Sequence, residues 1–377
     1  MQIARWIGLI LGILLVFGNW LSVIRTLIAP RSFYSRGLSV LTESWRKLFK
    51  FTARRLPNYN AKDRLLSLQE PVLLILLLAI WLAIFQIGFT LIIWRVTTVS
   101  FFKAFELAGS AEFTLGFSTP SGSVPLAVVF ITAMTGLIVV ALEVGFLPTL
   151  YSSYNRRERL ITMLESRAGS PAWGPEILAR HALVGLMEDL PNFYSSWESW
   201  AADVGESHTT HSFLLHFRSP KPLASWIIAL LAVLDSAALI LAFSPSIATV
   251  DARLSLRMGF TALRDIADSI HIKYDGDPRP DAPILLSFDE FKTGVERMIK
   301  AGFPTQRSME EAWVHFKGWR VNYESIAYEI ADYVAAPVAP WSGERKSLNE
   351  SIIEPIGVLN RRPGDPGDEN PVPLRDL

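Results

Sequence analysis

Uncharged apolar runs dominate the first half of the chain. No charged residue falls within 6–24, a run bracketed by Arg5 and Arg25, and none within 71–94, which is rich in Leu and Ile. A third run covers 124–142 and continues past a lone acid, Glu143, towards Pro148 and Tyr151. At about 1.5 Å of rise per residue, each run can cross a hydrocarbon core of about 30 Å, so the pattern predicts three spanning helices. The first run has no small-residue cleavage site, which favours a retained span over a removed signal peptide.

Beyond 155 the pattern becomes amphipathic. Apolar residues recur at helical spacing in "PEILARHALVGLMEDL", "ATVDARLSLRMGFTALRDIADSI" and "SFDEFKTGVERMIKAGF", with breaks at Pro191, Pro220, Pro245, "GDPRPDAP" and Pro304. Ser287 and Asp289 are candidate helix caps. No alternating strand pattern and no repeat occurs, so 155–345 reads as an all-α domain. Residues 346–377 turn to Pro, Gly and charge, the composition of a disordered tail. The stretch 222–243 is apolar enough for a fourth span. Asp235 at its centre would cost about 3 kcal/mol to insert, and the buried core of the helical domain is the preferred reading.

Composition sharpens this division. Half of the 377 residues are hydrophobic and 19% are charged, while formal net charge is zero, which gives no pointer to nucleic acid. The absence of cysteine excludes disulfides, thiolate metal sites and a cysteine nucleophile. The linker 30–70 carries Arg31, Arg36, Arg46, Lys47, Lys50, Arg54, Arg55, Lys62 and Arg64 against Glu43, Asp63 and Glu70. Between the second and third runs only Arg95 and Lys103 occur, offset by Glu106 and Glu112, and Arg156, Arg157 and Arg159 follow the third. The positive-inside rule then places the linker and everything after Tyr151 in the cytoplasm of a multi-pass inner-membrane protein.

The segment "FTLGFSTP", 113–120, therefore falls on the outer side between two spans. Residues 100–113, "SFFKAFELAGSAEF", are too few to cross and return, and suit a short helix descending partway. Irregular backbone at membrane depth is tolerated only where protein or a water-filled path covers it. Gly116 can take conformations that other residues resist, and a returning strand of this kind can offer carbonyl oxygens to an ion.

Thr114-Leu115-Gly116-Phe117 resembles the T-V-G-Y core of the potassium-channel signature T-V-G-Y-G. The run after it is similar to the inner helix of that superfamily, with Gly136 where a bending glycine often lies. The wider pattern, about 71–170, resembles bacterial proteins grouped with two-pore-domain potassium channels. The resemblance implies a pore module at 71–154: outer helix 71–94, pore helix 100–113, filter-like segment 114–118 and inner helix 124–150. An extra span at 1–29 precedes it. With one pore loop per chain, four copies would surround one axis in a homotetramer conducting monovalent cations, potassium among them, across the lipid bilayer. Ser118 stands where the family has its second filter glycine, and the usual Asp is missing, so selectivity does not carry over. Glu112 has two readings, a carboxylate ring facing the pore or a group bonded behind the filter. The rival to conduction is a non-conducting membrane-anchored sensor or scaffold on the same fold.

Other constellations add no chemistry. His208, His211 and His216 do not share one helical face and read as domain histidines, with no metal site. The acids around Asp275 lack calcium-loop spacing, and Trp197 and Trp200 read as one packed face. No cofactor motif or enzyme signature is present.

Overall fold

The computed structural model describes residues 2–29, 36–346 and 351–355. Among these residues it is all-helical, with four helices long and apolar enough to cross a membrane. The chain divides into two compact units, with boundaries between Lys47 and Leu48, Ser67 and Leu68, and Ser152 and Ser153.

In the first unit, α1 (Gln2–Leu27) packs along α4 (Gln69–Val96). The two run antiparallel: Arg5 donates to the carbonyls of Thr97 and Val99, while Asn19 donates to the carbonyl of Trp81 at 2.8 Å. Gly12 and Gly88 let the two backbones close up, since a Cβ at Gly12 would lie 2.6 Å from the Gly88 carbonyl oxygen. The first span is thus an integral helix of this unit and not a separate anchor. Within the sequence the linker forms α2 (Arg36–Ala53) and α3 (Tyr59–Ser67). The apolar spans end where charge begins, so the expected bounds of the outer helix and of α4 differ by two residues at each end.

The short helix α5 (Phe101–Glu112) is capped by Ser100, whose hydroxyl accepts from the Lys103 amide. Then follows α6 (Ser123–Ala168), 46 residues without a break. The expected inner helix, 124–150, stops too early. Pro148 sits inside α6, and the helix-favouring residues after it, "RRERLITMLESRA", carry the helix on to Ala168.

The second unit holds α7 (Gly174–Leu183), α8 (Leu190–Thr210), α9 (Trp226–Phe243), α10 (Val250–Ser269), α11 (Phe288–Lys300), α12 (Met309–Arg320) and α13 (Glu324–Tyr333). Helix α9 is its centre: every residue except Leu241 is buried, against α7, α8, α10, α12 and α13. Asp235 is held there by Arg320 at 2.5 Å and by the Tyr323 hydroxyl at 2.8 Å. Arg320 also donates to Glu324, Tyr328 and the Trp341 carbonyl.

The domain expected at 155–345 gains residues 48–67 from the linker. The cause is Arg218, which donates to Tyr59, to Asp63 at 2.7 Å and to the carbonyls of Val334 and Ala335. Lys50 likewise donates to the Tyr333 carbonyl at 2.6 Å. Most of the expected tail, 346–377, lies outside the described residues, though Ile353 donates its amide to the Val338 carbonyl.

Candidate functional site

The first unit places a short helix and an irregular return between two span-length helices. At 12 residues, α5 is about 18 Å long, little more than half a hydrocarbon core. Its last turn closes with a Schellman-type cap, in which the amides of Phe113, Thr114 and Leu115 reach the carbonyls of Gly109, Ala111 and Ser110. Thr114 takes the left-handed position of this cap, φ 56°, which glycine normally fills. A β-branched residue there is strained. Gly116, φ 71°, is the next left-handed residue and has nothing within 4 Å of an added Cβ.

The backbone amides of the return converge on one residue. Leu115 and Gly116 both donate to the Ser110 carbonyl, at 2.9 and 3.1 Å. The Ser110 hydroxyl accepts from the Ser118 amide at 3.0 Å. A trans peptide points its carbonyl opposite to the following amide. The amides of Thr114, Leu115, Gly116 and Ser118 turn towards the end of α5, so the carbonyls of Phe113, Thr114, Leu115 and Phe117 turn away from it. Among the described residues no hydrogen bond reaches those four oxygens, and residues 113–117 are exposed. The negative end of the α5 dipole lies on the same side of the unit as this return.

Glu112 lies differently. It is 3% exposed, and both of its carboxylate oxygens lack a hydrogen-bond partner among the described residues. A Cβ on Gly136 would come within 3.1 Å of its Cγ, so the side chain lies towards α6 and not on the open face with 114–117. This position lies behind the segment, but without the hydrogen bond that the second reading of Glu112 expected. Gly136, expected as a hinge, lies in unbroken helix, where an added Cβ would fall 2.2 Å from the Glu112 carbonyl oxygen. Ser118 is not left-handed; its amide and carbonyl both engage the Ser110 hydroxyl.

Two residues escaped the sequence reading. Ser110 organises the return, and its only signal was a hydroxyl in the last turn of the short helix. Gln86 is buried in α4 and donates to the Phe105 carbonyl at 2.8 Å, fixing α5 against α4. A lone amide within an uncharged span was its signal.

The histidines fall elsewhere, in the second unit. His208 is fully buried, its Nε2 3.1 Å from Arg157, and its Nδ1 3.1 Å from the Ser207 hydroxyl. Burial first, and the Arg157 charge second, hold its pKa well below the usual histidine value. His216 lies against Tyr333 with the rings tilted by 54°, and His211 is the C-cap residue of α8. Trp197 and Trp200 share one packed face, with ring centroids 4.6 Å apart.

Comparison of the chain with family models, with curated proteins and with solved structures gives no match.

Proposed function

We infer that the chain is one subunit of a pore-loop cation channel, in which four copies place their 114–118 segments around a common axis. The observation that carries this reading is the set of four carbonyls, from Phe113, Thr114, Leu115 and Phe117, aimed away from α5 with no partner in the protomer. Backbone carbonyls in a membrane need a donor or a cation. Symmetric copies supply a ring of such oxygens, which is how carbonyl filters replace an ion's hydration shell. The exposed side chains of Phe113, Leu115 and Phe117 need cover for the same reason, and neighbouring copies provide it.

The positive-inside pattern supports an inner-membrane protein with the second unit in the cytoplasm, as assembly or gating element. The tie between Ser118 and the Ser110 hydroxyl closes the outer end of the return, so the outer ion positions of a potassium filter have no counterpart, and selectivity for potassium over sodium is correspondingly weak. The same tie favours the second reading, a non-conducting membrane scaffold on this fold.

Cation flux into liposomes holding the purified full chain tests the choice. Wild-type protein passes potassium, sodium or caesium; Gly116→Ala, which constrains the backbone behind the carbonyls, cuts flux at least tenfold, while crosslinked tetramer content is unchanged. Liposomes tight to all three ions across voltage and pH, or flux indifferent to Gly116→Ala, remove 114–118 from any conducting path and leave the scaffold reading.

A further inference from the structure

Helix α2 carries an exposed face of mixed apolar and basic residues. Taking Arg46 as the centre of the inward face, 100° per residue puts Thr42, Phe49 and Ala53 within 60° of it. These residues are buried or half-buried. The opposite face carries Val40, Ser44, Lys47, Leu48 and Phe51, spread over an arc of about 100°. All are exposed, the three apolar ones by 53% to 66%. In the turn after the helix, Arg55 lies 4.5 Å from the Phe51 ring. Within α2 the acid bordering this face is Glu43, which pairs with Lys47 at 3.6 Å.

The position of α2 limits what can cover this face. Arg46 donates to Glu70 at 3.0 Å, and Trp45 donates to the Gln69 carbonyl at 2.9 Å. Gln69 and Glu70 are the first residues of α4, immediately before its uncharged run. The middle of α2 therefore lies at the level where α4 meets the edge of the apolar layer. In sequence the segment is tethered on both sides, by α1 and by α4, and a chain between two consecutive spans leaves and re-enters the same leaflet. A mixed apolar and basic face at that level matches the boundary between headgroups and acyl chains, where apolar side chains dip and basic ones stay with phosphate. A second copy offering the same basic face is disfavoured by like charge.

We propose that the outward face of α2, with Lys47 and Arg55 around Leu48 and Phe51, is a docking surface for anionic phospholipid headgroups. This rests on α1 and α4 crossing the bilayer, but not on conduction. Each base near an anionic surface contributes about a fivefold gain in association, and the gain shrinks as salt shortens the screening length.

The native chain has no cysteine, so a single Ser44→Cys label sits in the middle of the face without removing an anchor. The full-length protein, carrying an environment-sensitive fluorophore there, is reconstituted with lipids brominated near the headgroup end of their chains. An Ile75→Cys label reports α4, where Ile75 is 70% exposed. The proposal expects quenching at position 44 to be at least twice as strong with three parts phosphatidylglycerol to seven parts phosphatidylcholine as with phosphatidylcholine alone. The difference should fall by half or more in 0.5 M salt, and likewise in Lys47→Gln with Arg55→Gln. Quenching at 75 but none at 44 overturns the proposal alone, whether water or a protein covers the face. Equal quenching at 44 in both lipids overturns the requirement for anionic charge. No quenching at 75 overturns the bilayer reading beneath it.

Discussion

A methyl group added to Gly136 would stand 2.2 Å from the carbonyl oxygen of Glu112, inside any real contact distance. Helix α6 and the end of α5 thus meet backbone against backbone, immediately before the left-handed turn at Thr114.

Gly136→Ala should therefore destabilise the protein by about 1–3 kcal/mol, because helix α6 must move off Glu112 to admit the methyl group. The control is Gly145→Ala on the same helix, where an added Cβ meets nothing within 4 Å. Alanine there gains about 1 kcal/mol of helix propensity. Apparent melting temperatures of the purified protein in detergent separate the two readings of Gly136. A hinge predicts that both substitutions stiffen the helix and raise the melting temperature; the close contact predicts a drop for Gly136→Ala alone.

Ser110→Ala tests the anchor of the return. It removes the acceptor of the Ser118 amide while leaving the Ser110 carbonyl, which holds Leu115 and Gly116, in place. A lost hydrogen bond of this kind is worth about 1 kcal/mol. Hydrogen exchange in nanodiscs should speed up about fivefold at the Ser118 amide, with the Leu115 and Gly116 amides slowed as in wild type. Uniform acceleration from 113 to 118 would mean that the hydroxyl organises the whole segment.

Local signals carried the elements, and long-range pairing escaped them. The three uncharged runs became α1, α4 and the first part of α6, because length and apolarity are properties of the run itself. The short helix was legible to within a residue at each end, since Ser100 caps it and the glycine-containing turn stops it. The expected cap at Ser287 is present as a full capping box with Glu290. Asp235 was legible as a charge in an apolar stretch, but its partner Arg320 lies 85 residues away, and no periodicity joins them. The same holds for Arg218 and Asp63, 155 residues apart, a pairing that draws the linker into the second unit. At the candidate site the Thr-Leu-Gly-Phe pattern pointed to the segment, yet the direction of its carbonyls depends on Ser110, which no motif marks.

The Asp235–Arg320 pair yields a stability prediction. Both side chains are almost fully buried, so removing one leaves the other without its direct buried counter-charge, Arg320 keeping only Glu324. Asp235→Ala and Arg320→Met should each cost about 3–5 kcal/mol. The double variant should cost clearly less than the sum, since it removes the orphaned charge together with its partner. Urea unfolding followed by far-ultraviolet circular dichroism measures all three. Additive losses would show that the remaining partners, Glu324 and Tyr328 for Arg320 and Tyr323 for Asp235, already balance each group alone.

His208 makes the second unit sensitive to acid. Its ring is fully buried beside Arg157, and both burial and that guanidinium push its pKa well below the ordinary value of 6.5. Below pH 6.5 the unfolded chain takes up a proton that the folded chain refuses. Stability is therefore complete above about pH 6.5 and declines as pH falls, by about 1.4 kcal/mol per unit for one such group. His181, lowered mainly by burial, and His211, lowered by burial against the pull of Glu206, add in the same direction. Asp63 opposes them, because burial raises its carboxyl even beside Arg218, and a raised carboxyl favours the fold as pH falls. Comparing His208→Gln with wild type cancels these shared contributions. Glutamine keeps an amide near Arg157 and Ser207 but has no proton to gain. Wild-type protein should lose several degrees of apparent melting temperature between pH 7.5 and 5.5, and His208→Gln about half as much. An identical loss in both would place the acid sensitivity in His181 and His211 and leave His208 with packing alone.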